Sequence, residues 1–292
     1  MSTFNEHDCD VCGSSDAAEI ECLRHYSGGR PIHVCRNCGF VHVRARRSFQ
    51  EIADAWSYEL YGKDRSYTAQ LPAIKARQMF VAHSIDTVLG LKGKSVCDIG
   101  AGEGYFLVML SADEYGAEVF GIEPSPMLCE DMTRMGVPNT VGTIETYLES
   151  PDCAEGAFDI VTIIWTLENC EDCRVMLEGA HKLLKPGGHL VVATGSRILV
   201  PFKKPLQYYI GDADLDTHNF RFSANALERL MATTGFAKEH VNRYIDNDVL
   251  CMIARKTDPV ALDADGLPKD DWQAVIDFFD RWDVETRTYY EG

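Results

Sequence analysis

The stretch Val96-Cys97-Asp98-Ile99-Gly100-Ala101-Gly102-Glu103-Gly104 limits the possible folds more than any other part of this chain. Its first half reads as a buried strand. Its second half sets glycines at alternate positions, so the backbone can bend sharply and pass close to a bound molecule where a Cβ would obstruct it. A helix is expected from Glu103 onward. The third glycine of a dinucleotide-binding fingerprint would fall where Tyr105 stands, so the pattern is G-x-G-x-G and not G-x-G-x-x-G. The same turn also occurs as an ordinary strand-to-helix connection, and the surrounding chain decides its meaning.

Those surroundings alternate as an α/β sheet requires. Strands are expected at Ser95–Ile99, Glu118–Ile122, near Thr140, at Phe158–Ile164 and at His189–Thr194. Helices are expected from Glu103, over Pro126–Met135 and from Cys170 to Leu184, where Lys185-Pro186-Gly187-Gly188 ends the last of them. The run Phe158–Ile164 is almost continuously apolar, as suits a strand buried on both faces. Residues 236–255 read as an antiparallel pair around Asp246-Asn247-Asp248. The expected fold class is therefore α/β, a doubly wound sheet with an antiparallel last strand. Glu123 ends the second strand about 20 residues after the glycines, where an acid can accept both hydroxyls of a ribose.

Ahead of this core, Cys9-x-x-Cys12-Gly13 and Cys35-x-x-Cys38-Gly39 form two knuckles separated by a polar segment around Ser27-Gly28-Gly29-Arg30-Pro31. Each C-x-x-C turn directs two thiolates to one side, and two such turns complete a tetrahedral Zn²⁺ site. Four thiolates leave no open position, which points to structural rather than catalytic zinc. About 40 residues bury too little core to fold unaided, so the metal would supply much of the local stability. His25, His33 and His42 lie nearby in sequence and read as surface residues. Cys170-x-x-Cys173 lacks a second pair and is assigned no metal. The chain divides into a zinc-binding module (1–47), a helical cap (48–90), the α/β core (91–257) and a C-terminal linker and helix (258–292). Tyr58, Tyr61 and Tyr67 could line the cap or simply pack, and a second helix is expected over Pro72–Leu89.

Together the Asp98-to-Gly104 turn, Glu123-Pro124-Ser125, Trp165-Thr166-Leu167-Glu168-Asn169 and Leu183-to-Leu190 resemble, in order, the landmarks of class I S-adenosylmethionine-dependent methyltransferases. The resemblance implies cofactor contacts from Asp98, Gly100, Gly102, Gly104, Glu123, Pro124 and Trp165. It also implies a backbone or apolar adenine contact from Gly142, Thr143 and Ile144, because Thr143 stands where many members carry an acid. Asn169 replaces a usual His. The segment His218-Asn219-Phe220-Arg221-Phe222-Ser223 resembles the end of the His-Glu-His-x-x-Tyr-Phe-Ser signature of zinc-module sugar methyltransferases, with Asp216, Thr217 and Arg221 as departures. This makes His218 the candidate catalytic base, with Asp214 or Asp216 to orient it, while Ser223 would cap a helix from Ala224 to Thr234.

The expected function is methylation of a small molecule, a sugar, glycan precursor or related metabolite. The long C-terminal domain of sugar C-methyltransferases has no counterpart in residues 258–292, which shifts the expectation toward O-methylation. Ribosomal RNA guanine methyltransferases also join a four-cysteine module to this core, and the arginines at 24, 30, 36, 44, 46 and 47 favour that alternative. A formal charge of −17 opposes it, as it opposes binding to anionic membrane. A third reading is a non-catalytic protein that binds the cofactor and a partner. Met1–Asp10 shows no apolar signal segment, and 11 cysteines without one suggest a reducing, cytoplasmic setting. From about Pro259 a linker leads to a helix capped by Asp270 or Asp271, whose stripe of Trp272, Val275, Ile276, Phe279 and Trp282 either packs on its own domain or forms a homodimer contact.

Overall fold

The computed structural model describes residues 4–57, 71–202, 204–210 and 218–287, and the backbone of 58–60. The side chain of Tyr58 and all of Tyr61, Tyr67, Asp212, Asp214, Asp216 and Thr217 lie outside the described residues.

The N-terminal part supplies β1 (Phe4–Glu6), β2 (Ala17–Glu19), β3 (His33–Cys35), β4 (Val41–His42) and β5 (Ala45–Arg47), followed by α1 (Phe49–Asp54), which runs into a π-helix over Ala55–Leu60, and α2 (Pro72–Leu89). The core then alternates: β6 (Ser95–Ile99), α3 (Tyr105–Ser111), β7 (Glu118–Glu123), α4 (Pro126–Arg134), β8 (Asn139–Val141), α5 (Ile144–Leu148), β9 (Phe158–Ile164), α6 (Cys173–Leu183) and β10 (Leu184–Thr194). It closes with α7 (Leu206–Ile210), β11 (Phe220–Arg221), α8 (Ala224–Thr233), β12 (Phe236–Val241), β13 (Leu250–Lys256) and α9 (Trp272–Arg287). α3 begins at Tyr105, two residues after the expected start, because Gly104 at φ 75° still belongs to the turn. β10 begins at Leu184 rather than His189, with a shift of register against β9 between those two residues that absorbs the Pro-Gly-Gly segment.

The main sheet has the order β12-β13-β10-β9-β6-β7-β8. Its five central and edge strands β10, β9, β6, β7 and β8 are parallel, whereas β13 runs against both of its neighbours. Alternation along each strand feeds two cores. Val161 and Ile163 of β9 and Leu190 and Val192 of β10 pack with α5, α6 and α8, while Ile160, Ile164, Val191 and Ala193 pack with α2 and α3.

The N-terminal module is built into the rest of the chain. β2, β3 and β4 form an antiparallel sheet, and β11, from beyond the core's fifth parallel strand, adds to its edge with Phe220 opposite His42 and Arg221 opposite Val41. From one face of this added strand Phe220 stacks on Phe40 and Phe222 packs against the same ring at a tilt. The stripe of α9 is buried inside the chain, where Val275, Phe278, Phe279 and Trp282 join Leu23, Val34, Val41, Leu206 and Tyr209 in one core. Asp271 accepts the amides of Gln273 and Ala274 and so caps α9, while Asp270 accepts from the Ser223 hydroxyl and from Asn225 Nδ2 (2.8 Å). Ser223 itself caps α8 through the amide of Ala226 at 2.9 Å.

A buried arginine, ion-paired within the module, ties the module to the core. Arg46, fully buried, donates twice to Asp10 at 2.8 and 2.7 Å and once to the carbonyl of Glu171 at 2.6 Å, over the ring of Phe220. Among the described residues, no helix is long and apolar enough to cross a membrane.

Candidate functional site

The glycine turn sits at the carboxyl end of β6, where open α/β sheets form their crevice. Gly100, Gly102 and Gly104 all have φ between 56° and 76°, a region that side chains rarely adopt. Gly100 and Ala101 donate to the carbonyl of Ile122 at 2.8 and 3.1 Å, which ties the turn to β7. A Cβ on Gly100 would collide with the side chain of Thr166. Nothing stands within 4 Å of the corresponding position on Gly102, so this glycine opens toward space.

Glu123, 6% exposed at the end of β7, faces this turn. One carboxylate oxygen accepts the amide of Gly102 at 2.8 Å and the other that of Ser125 at 2.9 Å. Burial pushes its carboxyl up to about 7 against the pull of these two donors. Asp98, also buried, is likewise pushed up to about 7 by burial, although Thr162 Oγ1 donates to it at 2.6 Å.

The turn, Glu123 and the ends of β8 and β9 surround a cavity of about 290 Å³. Of the residues expected at a cofactor, Asp98, Gly100, Gly102, Glu123, Pro124, Gly142, Thr143, Ile144 and Trp165 line it. Gly104 does not: it starts α3 with its back against Met132. Thr143 caps α5, accepting the amide of Thr146 at 3.4 Å, so its hydroxyl serves the helix. Trp165 adopts φ 56°, a strained conformation for a bulky side chain, and its amide is held by the carbonyl of Ala193 at 2.7 Å.

Several lining residues were not named individually from the sequence. Phe49, Ile52, Ala53 and Trp56 come from α1 and the π-helix, and Ile74 and Gln78 from α2. The first group lies in the segment expected to form a cap over the site, whereas the second helix was expected only to pack on the sheet. Asn169, Cys170, Glu171 and Met176 complete the opposite wall. Asn169 donates to the carbonyl of Trp165 at 3.0 Å and leaves its buried Oδ1 without a partner. Cys170 and Cys173 are buried thiols, both pushed well up by burial, and Cys170 donates to the carbonyl of Leu167.

Outside the lining of this cavity, Cys9, Cys12, Cys35 and Cys38 converge with their sulfur atoms within 4.8 Å of one another. The Cys9–Cys38 and Cys12–Cys35 sulfur pairs are 3.6 and 3.5 Å apart, close to the edge of about 3.8 Å that Zn–S bonds of about 2.3 Å give a tetrahedron. Gly13 and Gly39, at φ 73° and 76°, donate back to the carbonyls of Cys9 and Cys35 and close the two knuckles. His42 is buried, stacked on Phe40, and pushed down to about 3 by burial, and it is not part of this cluster.

His218 does not line the cavity. It stands just before β11, with Nδ1 3.0 Å from the hydroxyl of Ser196 at the end of β10. Burial, then the charges of Arg221 and Lys204, push it down to about 4, so its ring is neutral at neutral pH. The arginines that suggested RNA binding are largely engaged: Arg24 pairs with Glu19, Arg36 with Asp16, Arg44 with Glu6 and Asp8, and Arg46 with Asp10.

A methyltransferase domain family matches residues 73–241, more than half of the chain. The chain belongs to this family and has the mixed α/β fold of class I S-adenosylmethionine-dependent methyltransferases. Among characterised proteins it is similar to the ubiquinone biosynthesis O-methyltransferase of Pectobacterium atrosepticum, 27% identical over 152 residues. That similarity covers 51% of this chain and 59% of the relative. Among solved structures, the 1,6-didemethyltoxoflavin-N1-methyltransferase of Burkholderia thailandensis, with S-adenosylhomocysteine bound, superposes with a TM-score of 0.52 at 18% identity, covering 75% of this chain and 95% of the other. The geranyl diphosphate C-methyltransferase of Streptomyces coelicolor A3(2) does so with 0.52 at 17% identity, covering 71% and 97%. At these identities the likeness is one of fold.

Proposed function

We propose that this chain is an S-adenosylmethionine-dependent O-methyltransferase acting on a small molecule. The observation that carries this reading is the Glu123 carboxylate, buried beside the glycine turn and braced by two backbone amides. Each of its oxygens retains a lone pair for a donor, so it can accept the two hydroxyls of a ribose. The unpartnered Oδ1 of Asn169 on the opposite wall supports the fit, since it can accept from the ammonium of the cofactor's amino-acid end. Gly100, Gly102 and Trp165 would border the cofactor, Asp98 and Pro124 would flank it, and Gly142, Thr143 and Ile144 would border the adenine. Gly104 acts through the turn, not by contact.

The bound cofactor supplies an electrophilic methyl group. The protein's part is to align the acceptor oxygen with it and to remove the acceptor's proton. His218 is the proposed base: its ring is neutral, and Ser196 holds Nδ1, leaving Nε2 to take a proton. Because His218 is not among the residues that line the cavity, this role requires the attacking oxygen itself to come within hydrogen-bond reach of Nε2 while it faces the methyl group. Oxygen as the methylated atom is supported by the curated relatives, and a sugar or glycan precursor by the segment from His218 to Ser223. The sulfur cluster would hold Zn²⁺ as a structural metal that fixes β4 and, through it, β11.

The test is calorimetric binding of S-adenosylhomocysteine, with transfer of labelled methyl to a panel of sugar nucleotides, phenols and structured RNA. Glu123→Ala should weaken cofactor binding by tenfold or more. His218→Ala should lower kcat by about 10²-fold or more with cofactor affinity unchanged. Cofactor binding that survives Glu123→Ala, or methylation of RNA alone, would overturn this reading.

A further inference from the structure

Residues 165–171 run from the end of β9 toward α6 and form one wall of the cavity through Trp165, Thr166, Asn169, Cys170 and Glu171. The start of this segment is tied to the core. The amide of Trp165 donates to the carbonyl of Ala193, and the hydroxyl of Thr166 donates to that of Gly100 at 3.3 Å. The backbone of the second half is held instead by β11 and the N-terminal module. The carbonyl of Glu168 accepts the amides of Asn219 and Phe220 at 2.8 and 3.2 Å, that of Cys170 accepts Asn219 Nδ2 at 2.9 Å, and that of Glu171 accepts Arg46 Nη1 at 2.6 Å.

Asn219, buried just before β11, is where these ties converge. Its amide and its Nδ2 hold the wall, its Oδ1 accepts from Arg30 Nη2 at 3.1 Å, and its carbonyl accepts the amide of Val43 at 2.9 Å. Every polar group of the residue is used. The same Arg30 nitrogen also donates to the carbonyl of Ala45 at 3.1 Å, which anchors the contact within the module. The carbonyl of Cys170 requires a donor and the guanidinium of Arg30 an acceptor, and a short side-chain amide offers both at once. An aspartate of the same shape keeps the second bond and cannot make the first. His218 is the preceding residue, so the anchor that fixes the wall also fixes the segment carrying the proposed base.

We infer that Asn219 is a positioning residue of the cofactor site, which holds residues 168–171 to the N-terminal module and so sets where Asn169, Cys170 and Glu171 stand along the cavity. Without its side chain the carbonyl of Cys170 loses its donor, and a backbone group left unpaired moves until it finds another partner. The wall moves with it. A ligand that fits the cavity by several directed contacts at once is sensitive to such a shift. The four-cysteine module thereby contributes to the cofactor site as well as to its own sheet. Naming the ligand as the cofactor rests on the methyl-transfer reading, and the anchoring of the segment does not.

The test uses the full chain and two readouts, amide hydrogen exchange across residues 165–171 without ligand and calorimetric binding of S-adenosylhomocysteine, each well below Tm. The amide of Asn169, which donates to the carbonyl of Thr166 at 3.0 Å, reports on the segment. In Asn219→Ala it should exchange about tenfold faster, and S-adenosylhomocysteine should bind about tenfold more weakly. Asn219→Asp retains an acceptor for Arg30 and loses the donor to Cys170, so it should show both effects, and it carries the test should Asn219→Ala not fold. Val34→Ala, a truncation in a different core of the module, gauges a merely structural effect: it should lower Tm while leaving both readouts as in wild type. Exchange unchanged in both Asn219 variants, affinity unchanged in both, or an equal loss of affinity in Val34→Ala would overturn the inference. Wild-type protein that fails to bind S-adenosylhomocysteine, while exchange in the segment still depends on Asn219, would overturn the methyl-transfer reading alone.

Discussion

Glu171 accepts the backbone amide of Phe49 at 2.7 Å, joining the wall of the cavity to the first residue of the helix that covers it. The same carboxylate accepts from Asn5 Nδ2 at 2.9 Å and lies 3.3 Å from His7 Nε2, so one side chain fastens β1, α1 and the cavity together. Ser48 and Glu51 complete the helix start as a reciprocal capping box. Glu171→Ala should therefore loosen α1. The expected result is a several-fold loss of S-adenosylhomocysteine affinity, matching about 1 kcal/mol for a lost cap, and faster proteolysis between residues 48 and 60. Limited digestion with and without cofactor checks both.

Gly100 has no room for a side chain beside Thr166 and holds a backbone angle that other residues resist. Gly100→Ala should keep the fold, as judged by circular dichroism, while abolishing measurable cofactor binding by calorimetry.

Asp98, Glu123 and Glu168 are each pushed up to about 7, chiefly by burial. A carboxyl raised in the folded state binds its proton more tightly there than in the unfolded chain. Its contribution to stability is full below about pH 4 and is lost as the pH rises through about 7. The ligand-free protein should accordingly be easier to unfold with urea at pH 8 than at pH 5.5. A ribose diol favours ionised Glu123, so S-adenosylhomocysteine affinity should climb by up to about tenfold between pH 6 and 8 and level off above. In Glu123→Gln the affinity should be weaker and this slope should flatten, which titrations across that range would read.

Cys35→Ser should remove bound zinc, read as about one equivalent per wild-type chain by a colorimetric chelator. It should lower Tm by on the order of 10 °C, since the metal would hold together the sheet on which β11 and α9 rest. A chelator that strips zinc from wild type should reproduce that shift.

Asp10→Ala leaves Arg46 charged and buried alone, a change expected to cost roughly 3–5 kcal/mol in urea unfolding. Arg46→Met, which removes the charge, should cost less despite deleting the same pair.

The sheet was legible because hydrophobic runs of strand length fell between helix-length segments. β6 and β9 were expected at the residues where they are found, and α2 likewise. Glu123 was legible for its spacing from the glycines. Other features were set by residues far apart in the chain, which periodicity does not report. Phe220 and Arg221 carry no mark that they pair with residues 41–42. The burial of Arg46 and Arg221 is equally silent in a sequence where arginine ordinarily reads as surface. His218 stood out through a resemblance, and its separation from the cavity became visible only when β11 was seen to belong to the N-terminal sheet.

That pairing also sets an order of events during synthesis. The four cysteines and β2 to β4 leave the ribosome early, but β11, which completes their sheet, and α9, which covers their apolar face, are made only after the whole parallel core. Contacts between such distant segments close late and slowly. This module, made before the core, is thus finished only after it, and a fragment ending before residue 220 would leave Phe40, Val34 and Val41 without the partners that bury them.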